Sequence, residues 1–122
     1  MFKIFRGFLC NKYRDKGMFY KNNREIINEI KYNEMLEKLK QGAKLIDTRT
    51  KQEYLEGHFD NAILLPYFEI SKRIESIVPD KEQVIIVYCQ NGGRSKKAYK
   101  ILKDMGYDNI YNLKGGREGV LE

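Results

Sequence analysis

A cysteine that ends an apolar run and opens into glycines, an arginine and a serine can hold a negatively charged sulfur. The chain has one such stretch, Val84-Ile-Ile-Val-Tyr-Cys-Gln-Asn-Gly-Gly-Arg-Ser95. The thiolate is the reactive form of cysteine, and backbone N–H groups, a helix N-terminus and a nearby cation all favour it over the thiol. Gln90, Asn91, Gly92, Gly93, Arg94 and Ser95 supply the amides and the cation for such a cradle around Cys89, so they are the candidate substrate-binding residues. A second polar group lies upstream in Asp47-Thr-Arg-Thr-Lys-Gln-Glu-Tyr-Leu-Glu-Gly-His58. Here Asp47, Arg49, Glu53 and His58 read as supporting residues. Asp47 and Arg49 leave a strand end and pair with local backbone or with Glu53, with Arg49 turned toward substrate as the alternative. His58 follows a helix-stopping glycine and holds a turn by hydrogen bonding in preference to acting as a base. Each has a plainer reading too, since a cysteine closing a buried strand is most often a small hydrophobe. The Gly-Gly-Arg-Ser sequence and the helix start tip Cys89 toward reactivity.

The elements that must position these residues follow from pattern. Residues 84–88 are β-branched and aromatic without polar alternation, which predicts a strand buried on both faces. After Ser95, Ala98, Ile101, Leu102 and Met105 recur at helical spacing and Gly106 stops the helix. Cys89 therefore sits at the carboxyl end of a strand, where open α/β sheets bind their ligands. Upstream, residues 30–32 read as a short edge strand, and Asn33 as the cap of a helix with Met35, Leu36 and Leu39 on its apolar face, ended by Gly42. Residues 44–48 form a strand, 51–56 a helical turn stopped by Gly57, and 61–65 a strand ending before Pro66. A helix with Phe68, Ile70, Ile74 and Ile77 inward runs to the Pro79-Asp80 break, and residues 109–113 form the last strand. Five strands with intervening helices predict an α/β fold: a five-stranded, mostly parallel sheet with helices on both faces in three α/β/α layers, joined by right-handed crossovers.

At 122 residues the chain makes one domain with a core of its own. Two cysteines, Cys10 and Cys89, are too few for a disulfide framework, and a reducing cytoplasm is the expected location. The single histidine, His58, excludes a His/Cys metal cluster. No run approaches the roughly 18 apolar residues of a membrane span. The net charge of +6 is concentrated in residues 1–29, which hold seven Lys/Arg against three acids, whereas the other 93 residues hold 16 against 14. A nearly balanced body does not suggest nucleic-acid binding. Residues 1–29 thus read as a basic, aromatic extension and residues 30–122 as the domain. In the extension, Lys3 and Arg6 interrupt the apolar run and no small-residue cleavage site follows, which argues against a signal peptide. Two readings of residues 1–10 stay open: an amphipathic helix making a weak, peripheral membrane-surface contact, and an arm packed on its own domain. Cys10 reads as an incidental thiol.

Three ordered motifs then carry a family likeness. Leu45-Ile-Asp-Thr-Arg49 with Glu53-Tyr54, Gly57-His58 and residues 62–66 resembles the first signature of the rhodanese-like sulfurtransferases, Cys89-Gln-Asn-Gly-Gly-Arg-Ser95 resembles their active loop, and Asn112-Leu-Lys-Gly-Gly116 their closing segment. The chain departs from the family pattern at Phe59, where Ile is usual, at Asn61, where Gly is usual, and at Val120, where Trp is common. The resemblance implies transfer of sulfane sulfur through a persulfide on Cys89, from a small anionic donor such as thiosulfate to cyanide or to the thiol of an acceptor protein, with no metal or organic cofactor. Two readings from other classes stand beside it. A cysteine-dependent phosphatase uses the same elements, but related phosphatases place five residues between cysteine and arginine, and here there are four, Gln90, Asn91, Gly92 and Gly93. A module that only docks a partner has no use for a preorganised anion nest.

Overall fold

Alternation along the strands sorts the core into two faces. A computed structural model describes residues 26–121, and in it β4 (Ile85–Tyr88) is buried throughout. Its Ile85 and Val87 join one apolar cluster, while Ile86 and Tyr88 join the other, as successive strand side chains must. The first cluster packs the sheet against α3 (Ile70–Ile77) and α4 (Gly93–Asp104), through Ile70, Ile74, Ala98, Tyr99 and Leu102. The second packs the opposite face against α1 (Tyr32–Lys40) through Met35, with Tyr54 of α2 (Lys51–Glu56) and Val120 of α5 (Gly116–Leu121) at its margin. Fully burying a side chain such as Ile74 stabilises the fold by roughly 1.5–3 kcal/mol, so α1, α3 and α4 are each held mainly by one apolar stripe.

The remaining strands are β1 (Glu29–Ile30), β2 (Lys44–Asp47), β3 (Ile63–Leu64) and β5 (Ile110–Leu113), and the sheet order is β1-β5-β4-β2-β3. All four pairings are parallel. The expected three-layer α/β/α architecture is therefore present, with every strand in one direction. Beyond β4 the chain crosses by α4 to β5, and beyond β2 by α2 to β3 on the other side. Adjacent strands whose connections leave in opposite directions open a crevice at their carboxyl ends. Asp47 ends β2 and Cys89 follows β4, so both polar stretches reach that crevice.

Several local expectations shift. The first helix begins at Tyr32, so Asn33 lies inside its first turn instead of capping it. The free N–H of Lys31 is taken by the Glu34 carboxylate at 2.8 Å. Leu36 and Phe68, expected inward, are 41% and 63% exposed. Phe68 falls in a 3-10 turn, residues 67–69, whose tighter winding carries it off the face that Ile70 and Ile74 bury. The helix α5 has no counterpart in the sequence reading. Asn61, standing where the family likeness has Gly, adopts φ 65, a left-handed conformation that Asn tolerates better than most side chains. The expectations about residues 1–10 and Cys10 lie outside the described residues. Among the described residues no helix is long and apolar enough to cross a membrane.

Candidate functional site

Cys89 is fully buried at the top of β4. The chain turns at Gly92, φ 105, which a side chain would strain, and then enters α4. That turn brings the Gly92 N–H to 3.0 Å from Cys89 Sγ and the Ser95 hydroxyl to 3.5 Å. Burial pushes the thiol pKa up, but the Ser95 hydroxyl and the amides of Ser95, Gly92 and Asn91 outweigh it, and the net shift is downward. The Gly93 amide is turned aside to the Asn91 side chain at 3.1 Å. The loop is thus a partial amide cradle around one sulfur, centred on residues 91–95.

A second layer holds the loop from behind. The carbonyls of Cys89 and Gln90 accept the first amides of α5, from Arg117 at 2.9 Å and Glu118 at 2.8 Å. With the Gln90 carbonyl anchored there, the planar trans peptide turns the Asn91 N–H the opposite way, toward the sulfur side. Gly116 makes this approach feasible: a Cβ on it would stand 2.6 Å from the Gln90 oxygen and 2.7 Å from that of Cys89, and its φ is 65. Among the described residues, the guanidinium of Arg117 has no acidic partner, and its Nε is buried without a hydrogen-bond acceptor.

The supporting residues divide into two groups. Asp47 and Arg49 are buried and bonded to each other: the carboxylate accepts from Arg49 Nη2 at 2.8 Å, from Nε at 3.0 and 3.2 Å, and from the Arg49 amide at 3.0 Å. It also accepts the Tyr88 hydroxyl at 2.7 Å, whose pKa is driven up by burial and by that carboxylate. Arg49 spends its remaining donors on the Gly57 carbonyl at 2.6 Å and on Gln90 Oε1 at 3.3 Å. It therefore braces the loop through Gln90.

Glu53, expected beside Asp47 and Arg49, faces Arg94 instead. The two form a forked pair at 2.7 and 3.0 Å. Arg49 is already engaged by Asp47, Gly57 and Gln90, and Glu53 sits in the first turn of α2, where it also accepts from the Thr50 N–H at 3.0 Å while the Thr50 hydroxyl takes the Glu53 amide at 3.3 Å. This is a capping box. The Arg94 fork, helped by Thr50, holds the Glu53 pKa down at about 2 against the opposing effect of burial. Arg94 is in turn raised, first by Glu53 and to a lesser degree by the charge of Cys89. His58 hydrogen-bonds the Tyr54 carbonyl at 2.8 Å and stacks on the Tyr54 ring at 3.7 Å. Neither contact involves the cysteine loop.

Sequence reasoning passed over Tyr88, Asn112, Glu29 and Gly116 as site residues. A polar Asn112 inside the apolar strand Ile110-Tyr-Asn-Leu113 is a readable signal, because a buried amide needs partners. Among the described residues no cluster of three or more His, Cys, Asp or Glu is arranged to hold a metal.

Comparison with known proteins adds a family to this geometry. The model of the rhodanese-like domain matches residues 31–122. Thiosulfate sulfurtransferase PspE of Escherichia coli is 40% identical over 70 residues, 57% of this chain and 67% of that protein. The tRNA uridine(34) hydroxylase of Erwinia tasmaniensis is 35% identical over 78 residues, which are 61% of this chain but 22% of the hydroxylase. The solved structure of a rhodanese with anions from E. coli superposes with a TM-score of 0.60 at 36% identity, covering 63% of this chain and 91% of that one.

Proposed function

The chain belongs to the rhodanese-like domain family, and from that premise we propose that it is a sulfurtransferase that carries sulfane sulfur as a persulfide on Cys89. In the first half-reaction the Cys89 thiolate attacks the outer sulfur of an anionic donor such as thiosulfate. The donor S–S bond breaks and sulfite leaves with its electron pair. In the second, cyanide or the thiolate of an acceptor protein attacks the terminal sulfur, and Cys89 departs as thiolate. Neither step needs a metal, an organic cofactor or an external oxidant. The observation that carries the reading is the single-sulfur scale of the cradle, with the Gly92 amide at 3.0 Å and the Ser95 hydroxyl at 3.5 Å from Sγ. Donors fixed in advance around a developing charge require no reorganisation when it forms.

The buried sulfur adds a step. A thiol without exposed surface meets its donor only when the loop opens, so transfer includes an opening at residues 90–91, where Asn91 is exposed and Gln90 half-buried.

Phosphatase chemistry fits less well. The loop is one residue short, the Arg94 fork is occupied by Glu53, and the two carboxylates beside the crevice, Asp47 and Glu53, are both committed to arginines. Hydroxylation, named for relatives that this chain matches over about a fifth of their length, finds no support in the cysteine loop.

Intact-mass analysis after incubation with thiosulfate tests the proposal. The native chain is expected to gain one sulfur atom, lost on adding cyanide with release of thiocyanate, and Cys89→Ser is expected to gain none. A gain that survives Cys89→Ser, or that maps to Cys10, overturns it.

A further inference from the structure

The Ser95 hydroxyl has one proton and three acceptors within reach. Asn112 Oδ1 lies at 2.5 Å, the Gly92 carbonyl at 3.2 Å and Cys89 Sγ at 3.5 Å. The shortest contact is to Asn112 Oδ1, so Asn112 competes with the sulfur for the Ser95 proton and weakens the bond from Ser95 to Cys89. The orientation of the Asn112 amide is fixed in its turn, because its Nδ2 donates to Glu29 Oε2 at 3.0 Å and an ionised carboxylate can only accept. The amide must therefore present its oxygen to Ser95.

We propose that Glu29 and Asn112 are positioning residues that act through Ser95, competing with Cys89 for its proton and so limiting how far that hydroxyl favours the reactive thiolate. The chain of contacts runs from Glu29 on the edge strand β1, through Asn112 on β5, to Ser95 on the first turn of α4, and ends at the sulfur. When the acceptor-only demand of Glu29 is removed, the amide is free to turn. Its Nδ2 then donates to Ser95 Oγ, and the Ser95 proton, no longer shared with Asn112, is left wholly to the hydrogen bond with Sγ. The inference rests on the reading of Cys89 as the nucleophile, but its test reads ionisation of the thiol and not sulfur transfer.

The charged neighbours of this relay are few. Lys96 Nζ on α4 stands 3.9 Å from Glu29 Oε2. On the sulfur side are Arg94 of α4 with its partner Glu53 of α2, the buried Asp47 and Arg49 pair after β2, and Arg117 on α5. Neither substitution below changes any of these side chains.

The test is the rate of Cys89 alkylation by iodoacetamide as a function of pH, followed by mass mapping of the modified peptide in a Cys10→Ser background. Glu29→Gln, which can donate to Asn112 Oδ1 and so permits the turn, is expected to move the midpoint of the profile to lower pH. At a pH well below the native midpoint the rate should rise about fivefold, the change that one hydrogen bond of ordinary strength produces. Loss of the Glu29 charge alone would push in the same direction, and Ser95→Ala separates the two causes. In that background Glu29→Gln is expected to leave the midpoint where Ser95→Ala put it. An unmoved midpoint in the single variant, or a shift that persists without the Ser95 hydroxyl, overturns the proposal. Sulfur loading from thiosulfate, measured on the same variants, reports separately on whether Cys89 is the sulfur carrier.

Discussion

Two arginine–carboxylate pairs flank the Cys89 loop, and burial sets them apart. The inner pair, Asp47 with Arg49, has side chains 0% and 3% exposed, with one further hydrogen bond on Asp47, from Tyr88, and two on Arg49, to Gly57 and Gln90. The outer pair, Glu53 with Arg94, is 31% exposed on both sides. Two charges taken out of water are costly unless their lone pairs and protons find partners, and the inner pair finds them in Tyr88, Gly57 and Gln90. It is scaffolding with a charge on it. The outer pair keeps one side in water, and one partner, Arg94, belongs to the cysteine loop. The same chemistry thus serves as a fixed frame in one place and as an adjustable charge in the other.

That contrast breaks first, if it breaks, at Asp47. Asp47→Ala strips acceptors from the Arg49 guanidinium, from the Arg49 amide and from the Tyr88 hydroxyl, all in the interior. Removing one partner of such a pair costs about 3–5 kcal/mol, to be read as a fall in the urea midpoint at unchanged slope. A loss below about 1 kcal/mol, the range of exposed pairs, would show the inner pair to be no frame at all. A smaller loss is expected at Gly116, where the frame reaches the loop from behind. Gly116→Ala must accept a positive φ and move the Gln90 carbonyl off a 2.6 Å contact, which costs roughly 1–3 kcal/mol. Because the carbonyl carries the Asn91 peptide with it, alkylation of Cys89 should also shift to higher pH. Loss of stability with an unchanged alkylation profile would confine α5 to packing.

How far the sequence led depended on whether a residue's partner was local. The strands and the helix after Cys89 were legible because apolar runs and glycine stops are properties of a short window. The placement of Cys89 at a strand end followed from the same window. Helix α5 was not legible: Gly-Arg-Glu-Gly-Val-Leu has two glycines and no apolar face, and its first amides are satisfied by carbonyls from residues 89 and 90. Of the two readings of Asp47 and Arg49, pairing with local backbone is met and pairing with Glu53 is not, for a related reason. Asp47, Arg49 and Glu53 are neighbours in sequence, while Arg94 is 41 positions away and is brought near only by the pairing of β2 with β4. The Thr50-Lys-Gln-Glu53 capping box, a local signal, was there to be read and would have placed Glu53 at a helix start, facing outward.

The outer pair offers the finest test, since Gln can replace Glu53 in the capping box and remove only the charge. Glu53→Gln is expected to lower stability at neutral pH by less than about 1 kcal/mol, as a third-exposed pair screened by water should, and added salt should shrink the difference further. The pH dependence has a definite sign. The folded pKa of Glu53 is depressed to about 2 from an ordinary value of 4.5, so the contribution of the pair is complete above about 4.5 and is lost as pH falls through that window toward 2. Native and variant stabilities should therefore differ above pH 4.5 and converge in acid. Over the same substitution Arg94 loses the carboxylate that offsets its charge, and its attraction for the Cys89 thiolate acts unopposed. The alkylation midpoint of Cys89 should move to lower pH, an effect on the site without a matching effect on the fold. A stability loss of several kcal/mol that ignores salt would make Glu53 and Arg94 a second frame, and the distinction between the two pairs would fail.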